Sequence, residues 1–287
     1  MSRIAYVNGR YLRHAEAGVH IEDRGYQFSD GVYEVCGVRG GQLMDEDYHL
    51  ERLERSLQEL RIAMPMNMRA LRLVLREVVR ANGITDGMVY LQVTRGVARR
   101  DHPFPNPAVR PALVITAKRL SLVKIAQSVA QGVAVVTMTD QRWARRDIKS
   151  ISLLANILAK QAAREAGAYE AWLVDQDGFV TEGSSTNAWI VDVDGRVITR
   201  PLNADILPGV TRRVLLEAAA REGIEVVERP FTVEEARNAR EAFISACTAI
   251  ITPVVKVDGQ VIGNGAPGSI TMRLRAAYDS ATQTGRV

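Results

Sequence analysis

The chain is poor in cysteine and in lysine. Only Cys36 and Cys247 occur in 287 residues. That leaves no framework for a disulfide-stapled domain and no cysteine cluster for a metal, so a reducing cytoplasm is the expected setting and no metal site is expected. Of 37 basic residues only Lys118, Lys124, Lys149, Lys160 and Lys256 are lysines, so covalent chemistry through an amine has few candidates. No stretch approaches the roughly eighteen uncharged apolar residues of a membrane-spanning helix, and no membrane partner is expected. The opening Met1-Ser2-Arg3-Ile4 has no long apolar block and no small-residue cleavage pattern, so no secretory signal is expected. The net charge is +4, but acids and arginines are interspersed, with no basic run to track a phosphate backbone, and no nucleic-acid partner is expected. What remains is an ordinary globular composition, 47% hydrophobic and 24% charged, long enough for one large domain or two modest ones.

Local patterns alternate between strand and helix. Asn8-Gly9 centres a predicted hairpin, and Gly40-Gly41 a second strand pair over 32–44. Leu50, Leu53, Leu57 and Leu60 form a helical stripe, and a further helix is predicted over 70–82 with Gly83 as its stop. Strands are predicted at 88–95, 112–118 and 133–139. The stretch 119–130 carries no clear period. A helix is predicted over 151–166, with Ile151, Leu154, Ile157 and Leu158 as its apolar positions. Hairpins at Asp177-Gly178 and Asp194-Gly195 follow, then a helix over 210–222. Thr232 with Glu235 reads as a capping box. Strands at 242–246 and 253–257, a turn at Asp258-Gly259 and a helix over 269–281 complete the chain. The expectation is an α+β protein of two domains, a small one over 1–118 and a larger one over 125–287, with 119–124 as linker.

Four local features point to one kind of ligand, and each has a plain alternative. Lys149 lies between a predicted strand and a helix, with Arg145 and Arg146 nearby. Neighbouring cations favour a neutral amine, which a Schiff-base lysine needs; a solvated loop lysine would look the same. Thr181-Glu182-Gly183-Ser184-Ser185-Thr186-Asn187 offers hydroxyls and amides to an anion and an acid to a heteroaromatic nitrogen; it also reads as a polar hairpin loop. Leu207-Pro208-Gly209-Val210-Thr211-Arg212 opens a helix, where free amides and the dipole attract anions; simple capping is the alternative. His49 and Arg52 share a helix face, and arginine suits a phosphate; a solvated face is the alternative. Separately, Arg100 and His102 in a proline-bearing loop can clamp a carboxylate, or belong to a basic surface loop.

Taken in order, these segments resemble the fold-type-IV pyridoxal-phosphate (PLP) enzymes, and among them the D-amino-acid aminotransferase family. The resemblance is carried by the run Asp23-Arg24-Gly25-Tyr26-Gln27-Phe28-Ser29-Asp30-Gly31-Val32-Tyr33-Glu34-Val35, by His49-x-x-Arg52-Leu53, by Thr181-Glu182-Gly183-Ser184-Ser185 and by Gly209-Val210-Thr211-Arg212, and it spans essentially the whole chain. It implies a two-domain α+β fold with pyridoxal 5'-phosphate as cofactor and Lys149 as the lysine joined to it. It implies that Arg52, Val210, Thr211 and Thr248 hold the phosphate, and that Glu182 pairs with the ring nitrogen. Ser184, Ser185 and Leu207 are implied to lie against the cofactor. Tyr33, Arg100 and His102 are implied to receive the substrate α-carboxylate, the Arg-x-His loop entering from the partner of a homodimer. The implied activity is ping-pong transamination between a D-amino acid, such as D-alanine or D-glutamate, and a 2-oxo acid. Two enzymes on the same fold remain open. A branched-chain L-amino-acid aminotransferase would not need the Arg-x-His trap, and an aminodeoxychorismate lyase would eliminate pyruvate instead of transferring an amino group.

Overall fold

A computed structural model describes residues 3–283. The described chain divides into two compact units, the first formed by residues 3–121 with 148–152, the second by 122–147 with 153–283.

The first unit contains β1 (Ile4–Val7), β2 (Arg10–Arg13), α1 (Arg24–Phe28), β3 (Gly31–Arg39), β4 (Gln42–Leu43), α2 (Glu46–Glu59), α3 (Met68–Ala81), β5 (Gly87–Thr94) and β6 (Ala112–Arg119). The strands form one antiparallel sheet in the order β2-β1-β6-β5-β3-β4. The hairpin at Asn8-Gly9 forms because both residues take positive φ, 47° and 97°, which suits the primed turn that matches strand twist. In β5, buried and half-buried residues alternate as sheet geometry requires. Leu50, Leu53 and Leu57 of α2 and Leu71, Leu75 and Val78 of α3 pack with Val32, Cys36, Leu91 and Ile115 of the sheet in one core. Asn67 caps α3 through its side chain, accepting from the Ala70 amide at 2.8 Å.

The second unit contains α4 (Leu122–Gln131), β7 (Val133–Thr139), α5 (Leu154–Glu165), β8 (Glu170–Val174), β9 (Val180–Gly183), β10 (Asn187–Val191), β11 (Val197–Thr199), α6 (Val210–Arg221), β12 (Val226–Glu228), α7 (Val233–Arg237), β13 (Glu241–Ala246), β14 (Ile250–Val257), β15 (Gln260–Val261) and α8 (Ser269–Gln283). Its mixed sheet runs β12-β11-β10-β13-β14-β7-β8-β9, with β15 paired to β14. Strand pairs β14/β7, β7/β8 and β11/β12 are parallel. The capping box at Thr232 and Glu235 starts α7.

The first boundary between the units, at 121/122, falls within the stretch 119–124, where β6 ends at Arg119 and α4 begins at Leu122. The chain also returns to the first unit at 148–152, because Ser150 bridges to Val32 and the Ile151 amide donates to the Gly31 carbonyl at 3.1 Å. These residues are spent as a strand-like segment along β3, so α5 starts at Leu154 and not at 151. Finally, the apolar positions of α5 point outward. Leu154, Ile157 and Leu158 are 70%, 59% and 59% exposed, while Ala159 and Ala163 pack on Ala171 and Leu173. Periodicity identified the helix but not the face that meets the sheet.

Candidate functional site

In the first unit the candidate residues gather along β3. Its burial alternates so that Val32, Glu34 and Cys36 are buried while Tyr33 and Val35 are half-buried. Lys149 lies beside it: the Tyr33 amide donates to the Lys149 carbonyl at 3.0 Å, and the Lys149 amide donates to Ser56 Oγ at 3.4 Å. The half-buried Lys149 side chain brings Nζ to 4.2 Å from the centre of the Tyr33 ring. Tyr33 in turn packs against Tyr90, with centroids 5.8 Å apart. Burial, then the nearby Tyr33, pushes the Tyr90 phenol up to about 12, so it stays protonated at neutral pH.

Glu34 is the centre of a buried cluster. Its side chain is fully enclosed, and Arg52 donates to it twice, Nε to Oε1 and Nη2 to Oε2, both at 2.7 Å. His49 Nδ1 lies 2.8 Å from Oε2. Burial works to raise the Glu34 carboxyl, but the charge and hydrogen bonds of Arg52 and the contact with His49 outweigh it and hold Glu34 down at about 2. Burial lowers His49, with Glu34 pulling the other way. A carboxylate can only accept, so the proton of the neutral imidazole sits on Nδ1. The shared face of His49 and Arg52 is therefore buried and paired to Glu34.

Arg100 and His102 lie in the exposed connection between β5 and β6. The loop gathers them on one ring: the Arg100 guanidinium is 4.9 Å from the centre of Phe28, and the His102 ring is 5.5 Å from it. Tyr33 lies on β3 beside Lys149 and not in this loop.

In the second unit Glu182, at the end of β9, is 4% exposed. It accepts from Arg142 Nη1 at 2.5 Å, from Asn187 Nδ2 at 3.0 Å and from the Leu207 amide at 3.2 Å. Arg142 also donates to Asp140 through Nε and Nη2, at 3.0 and 2.8 Å. Burial opposes charge on both, yet the mutual pairing lowers Asp140 and, with Glu182, raises Arg142. Asn187 has a second task, donating to the Leu207 carbonyl at 3.1 Å. That carbonyl is two residues before Gly209, the uncapped start of α6, where Val210 and Thr211 are buried. Glycine is required at 209: an added Cβ would run into Asn187 Oδ1. The Ser184 and Ser185 hydroxyls both donate to the buried Glu170, that of Ser185 at 2.8 Å. Thr248 lies in the turn between β13 and β14. Arg145 and Arg146, read as a cationic field for Lys149, are each matched by acids: Arg145 by Asp147 at 2.9 Å, Arg146 by Asp205 at 3.2 Å and Asp140 at 3.3 Å.

Sequence reasoning gave no role of their own to Glu34, Arg142, Asn187 and Glu170. Glu34 left a readable signal, an acid at an inward register of an otherwise apolar strand, which demands a counter-charge. Arg142 left none, because its two partners lie at different sequence separations, in the strand end before it and in β9.

The first unit thus holds an amine beside an aromatic ring and a buried arginine, and the second a buried carboxylate fixed by three donors and a helix start without a side-chain cap. The pattern of the family described as Amino-transferase class IV matches residues 31–257. A D-alanine aminotransferase of Bacillus licheniformis is 41% identical over 274 residues, covering 96% of this chain and 95% of that protein. Among solved structures, the branched-chain amino acid aminotransferase of Escherichia coli superposes with TM-score 0.92 at 26% identity, covering 98% of this chain and 95% of that one. A branched-chain amino acid aminotransferase of Thermoproteus uzoniensis, solved with norvaline, gives 0.85 at 26%, covering 99% and 96%. The chain belongs to the class IV aminotransferases.

Proposed function

We propose that this aminotransferase exchanges an amino group between a D-amino acid, such as D-alanine or D-glutamate, and a 2-oxo acid, in two ping-pong half reactions with pyridoxal 5'-phosphate as cofactor. The observation that carries the D reading is the gathering of Arg100 and His102 on Phe28, which offers two cationic or hydrogen-bonding groups to one α-carboxylate. The likeness to a D-alanine aminotransferase at 41% identity supports it.

The cofactor, when bound, supplies a carbonyl that receives the amino group and a ring that withdraws electrons from the substrate Cα. The chain's own residues do the rest. Lys149 Nζ would take the proton from the substrate Cα as base and then, as acid, give it to the carbon of the cofactor's carbonyl and not back to Cα. Arg52, oriented by Glu34, meets the phosphate, as do the amides at the start of α6 with the Thr211 hydroxyl and Thr248. Glu182, fixed by Arg142, Asn187 and the Leu207 amide, keeps a proton on the ring nitrogen. Ser184, Ser185 and Leu207 bound the ring. Tyr33 holds the carboxylate together with the Arg100–His102 loop entering from a second copy of the chain, and the side on which they hold it selects the enantiomer whose Cα hydrogen faces Lys149.

A homodimer belongs to this reading. Leu154, Ile157 and Leu158 form an exposed apolar face at helical spacing, 59–70% exposed, and such a face fits a second copy of the chain. No helix among the described residues is long and apolar enough to cross a membrane. Both cysteines are thiols, which suits the cytoplasm.

The branched-chain L-amino-acid reading has the high superposition with the E. coli enzyme in its favour. The test is a panel of D-alanine and L-leucine as separate donors with 2-oxoglutarate. Activity with D-alanine, abolished by Lys149→Ala, is expected; activity with L-leucine alone overturns the D reading.

A further inference from the structure

The loop that carries Arg100 and His102 has no regular secondary structure and is exposed along 99–104. A carboxylate trap on such a loop loses precision unless something fixes its backbone. Two buried arginines do so. Arg24, 4% exposed, donates from Nη1 to the Asp101 carbonyl at 2.5 Å and from Nη2 to the His102 carbonyl at 3.2 Å. Its Nε donates to Asp30 Oδ2 at 2.8 Å, and its guanidinium lies 4.8 Å from the centre of Phe28, the ring that also receives Arg100 and His102. Arg95 takes the other side of the same acid, donating to Asp30 Oδ2 at 2.8 Å and Oδ1 at 3.0 Å. It also donates to the carbonyls of Arg61 at 2.9 Å and Leu60 at 2.8 Å, and its face lies 3.6 Å from the centre of Phe104. The loop is thus gripped at 101–102 by Arg24 and at 104 by Arg95, and Asp30 locks both arginines.

Asp30 is suited to the task. Burial works to raise its carboxyl, but the hydrogen bonds and charges of Arg95 and Arg24 outweigh that and hold it below the usual aspartate range. It also stands immediately before β3, the strand that presents Tyr33, and its carbonyl accepts from the Arg95 amide at 3.0 Å. The contacts of Arg24 go to loop carbonyls and not to the Arg100 or His102 side chains. Its effect is therefore on where those side chains begin, while their charge and donors are left for a ligand.

We propose that Arg24, locked by Asp30, is the positioning residue of the substrate-carboxylate loop. This rests on the reading that Arg100 and His102 receive the carboxylate. Three directed donors are used at once, to one carboxylate and two carbonyls, which the compact ammonium of lysine cannot reproduce.

The experiment compares Arg24→Gln, Arg24→Lys and Arg100→Ala holoenzymes with D-alanine as donor and 2-oxoglutarate as acceptor, recording kcat, KM for D-alanine and the cofactor's visible spectrum. Arg24→Gln is expected to raise KM about tenfold or more, with kcat within about threefold and an unchanged spectrum. Arg24→Lys should raise KM in the same way, and decides the matter if the glutamine variant does not fold. Combined with Arg100→Ala, the Arg24 change should add little further loss, because the two act through one contact. A parallel fall in kcat and cofactor occupancy with unchanged KM overturns the positioning role. So does an unchanged KM in the Arg24 variants when Arg100→Ala raises it. An unchanged KM in Arg100→Ala overturns instead the carboxylate reading beneath it.

Discussion

Replacing Glu34 by glutamine tests how the buried cluster on β3 works. The carboxylate is enclosed and receives two hydrogen bonds from Arg52, which is itself only 9% exposed. Glutamine keeps the shape and one acceptor but removes the charge. Arg52 then loses the charge of its enclosed carboxylate partner, and breaking such a buried pair costs about 3–5 kcal/mol. The pKa gives an independent figure: the fall from 4.5 to about 2 corresponds to about 3 kcal/mol at roughly 1.4 kcal/mol per unit. The sign follows from linkage. A carboxyl depressed in the fold contributes stability that is fully present above pH 4.5 and is lost as pH falls through about 2. His49, lowered by burial, adds to acid instability from its ordinary range downward, because the unfolded chain takes up its proton first. At roughly 2–4 °C per kcal/mol for a protein of this size, Glu34→Gln should lower Tm at pH 7 by on the order of 10 °C. The difference from wild type should shrink as pH falls from 4.5 towards about 2. Glu34→Gln with Arg52→Met removes both charges and should be less destabilised than the single variant. Thermal melts by circular dichroism across pH read all three. A single-variant Tm within about 2 °C of wild type at pH 7, or a double variant that loses the sum of the two single losses, refutes the account.

Two further outcomes follow from the second unit. Arg142→Met should weaken cofactor binding and lower kcat by about 10- to 100-fold, the worth of one charge-assisted hydrogen bond, because Glu182 loses its arginine; titration of the apoprotein with PLP, followed by fluorescence, reads the binding, and unchanged affinity and kcat would remove Arg142 from the account. Gly209→Ala should reduce PLP affinity without backbone strain, since φ there is −62° and the cost is the contact with Asn187 Oδ1; the same titration reads it, and an unchanged affinity would refute the contact as a cost.

Much of the fold was legible in local chemistry. The turns at Asn8-Gly9, Asp177-Gly178 and Asp194-Gly195 follow from residues that tolerate positive φ. The leucine stripe of α2 and the capping box of α7 follow from helical periodicity and from amides that need partners. The ordered motifs likewise singled out Lys149, Arg52, Glu182 and the start of α6 as candidates, because a resemblance is a property of the chain itself. Other features were not local. The outward face of α5 could not be read, since alanines meet the sheet and the larger apolar groups are left for another surface. The return of 148–152 to β3 depends on backbone hydrogen bonds that any sequence can make. The partners of the chemical groups were hidden for the same reason. Glu34 meets Arg52 and His49, Arg142 meets Glu182, and Arg24 meets the carbonyls of Asp101 and His102, each across a long sequence separation. A sequence determines which charges a chain carries and where its strands and helices tend to form. Only the tertiary structure decides which buried charge is matched to which, because that depends on distances that chain order does not encode.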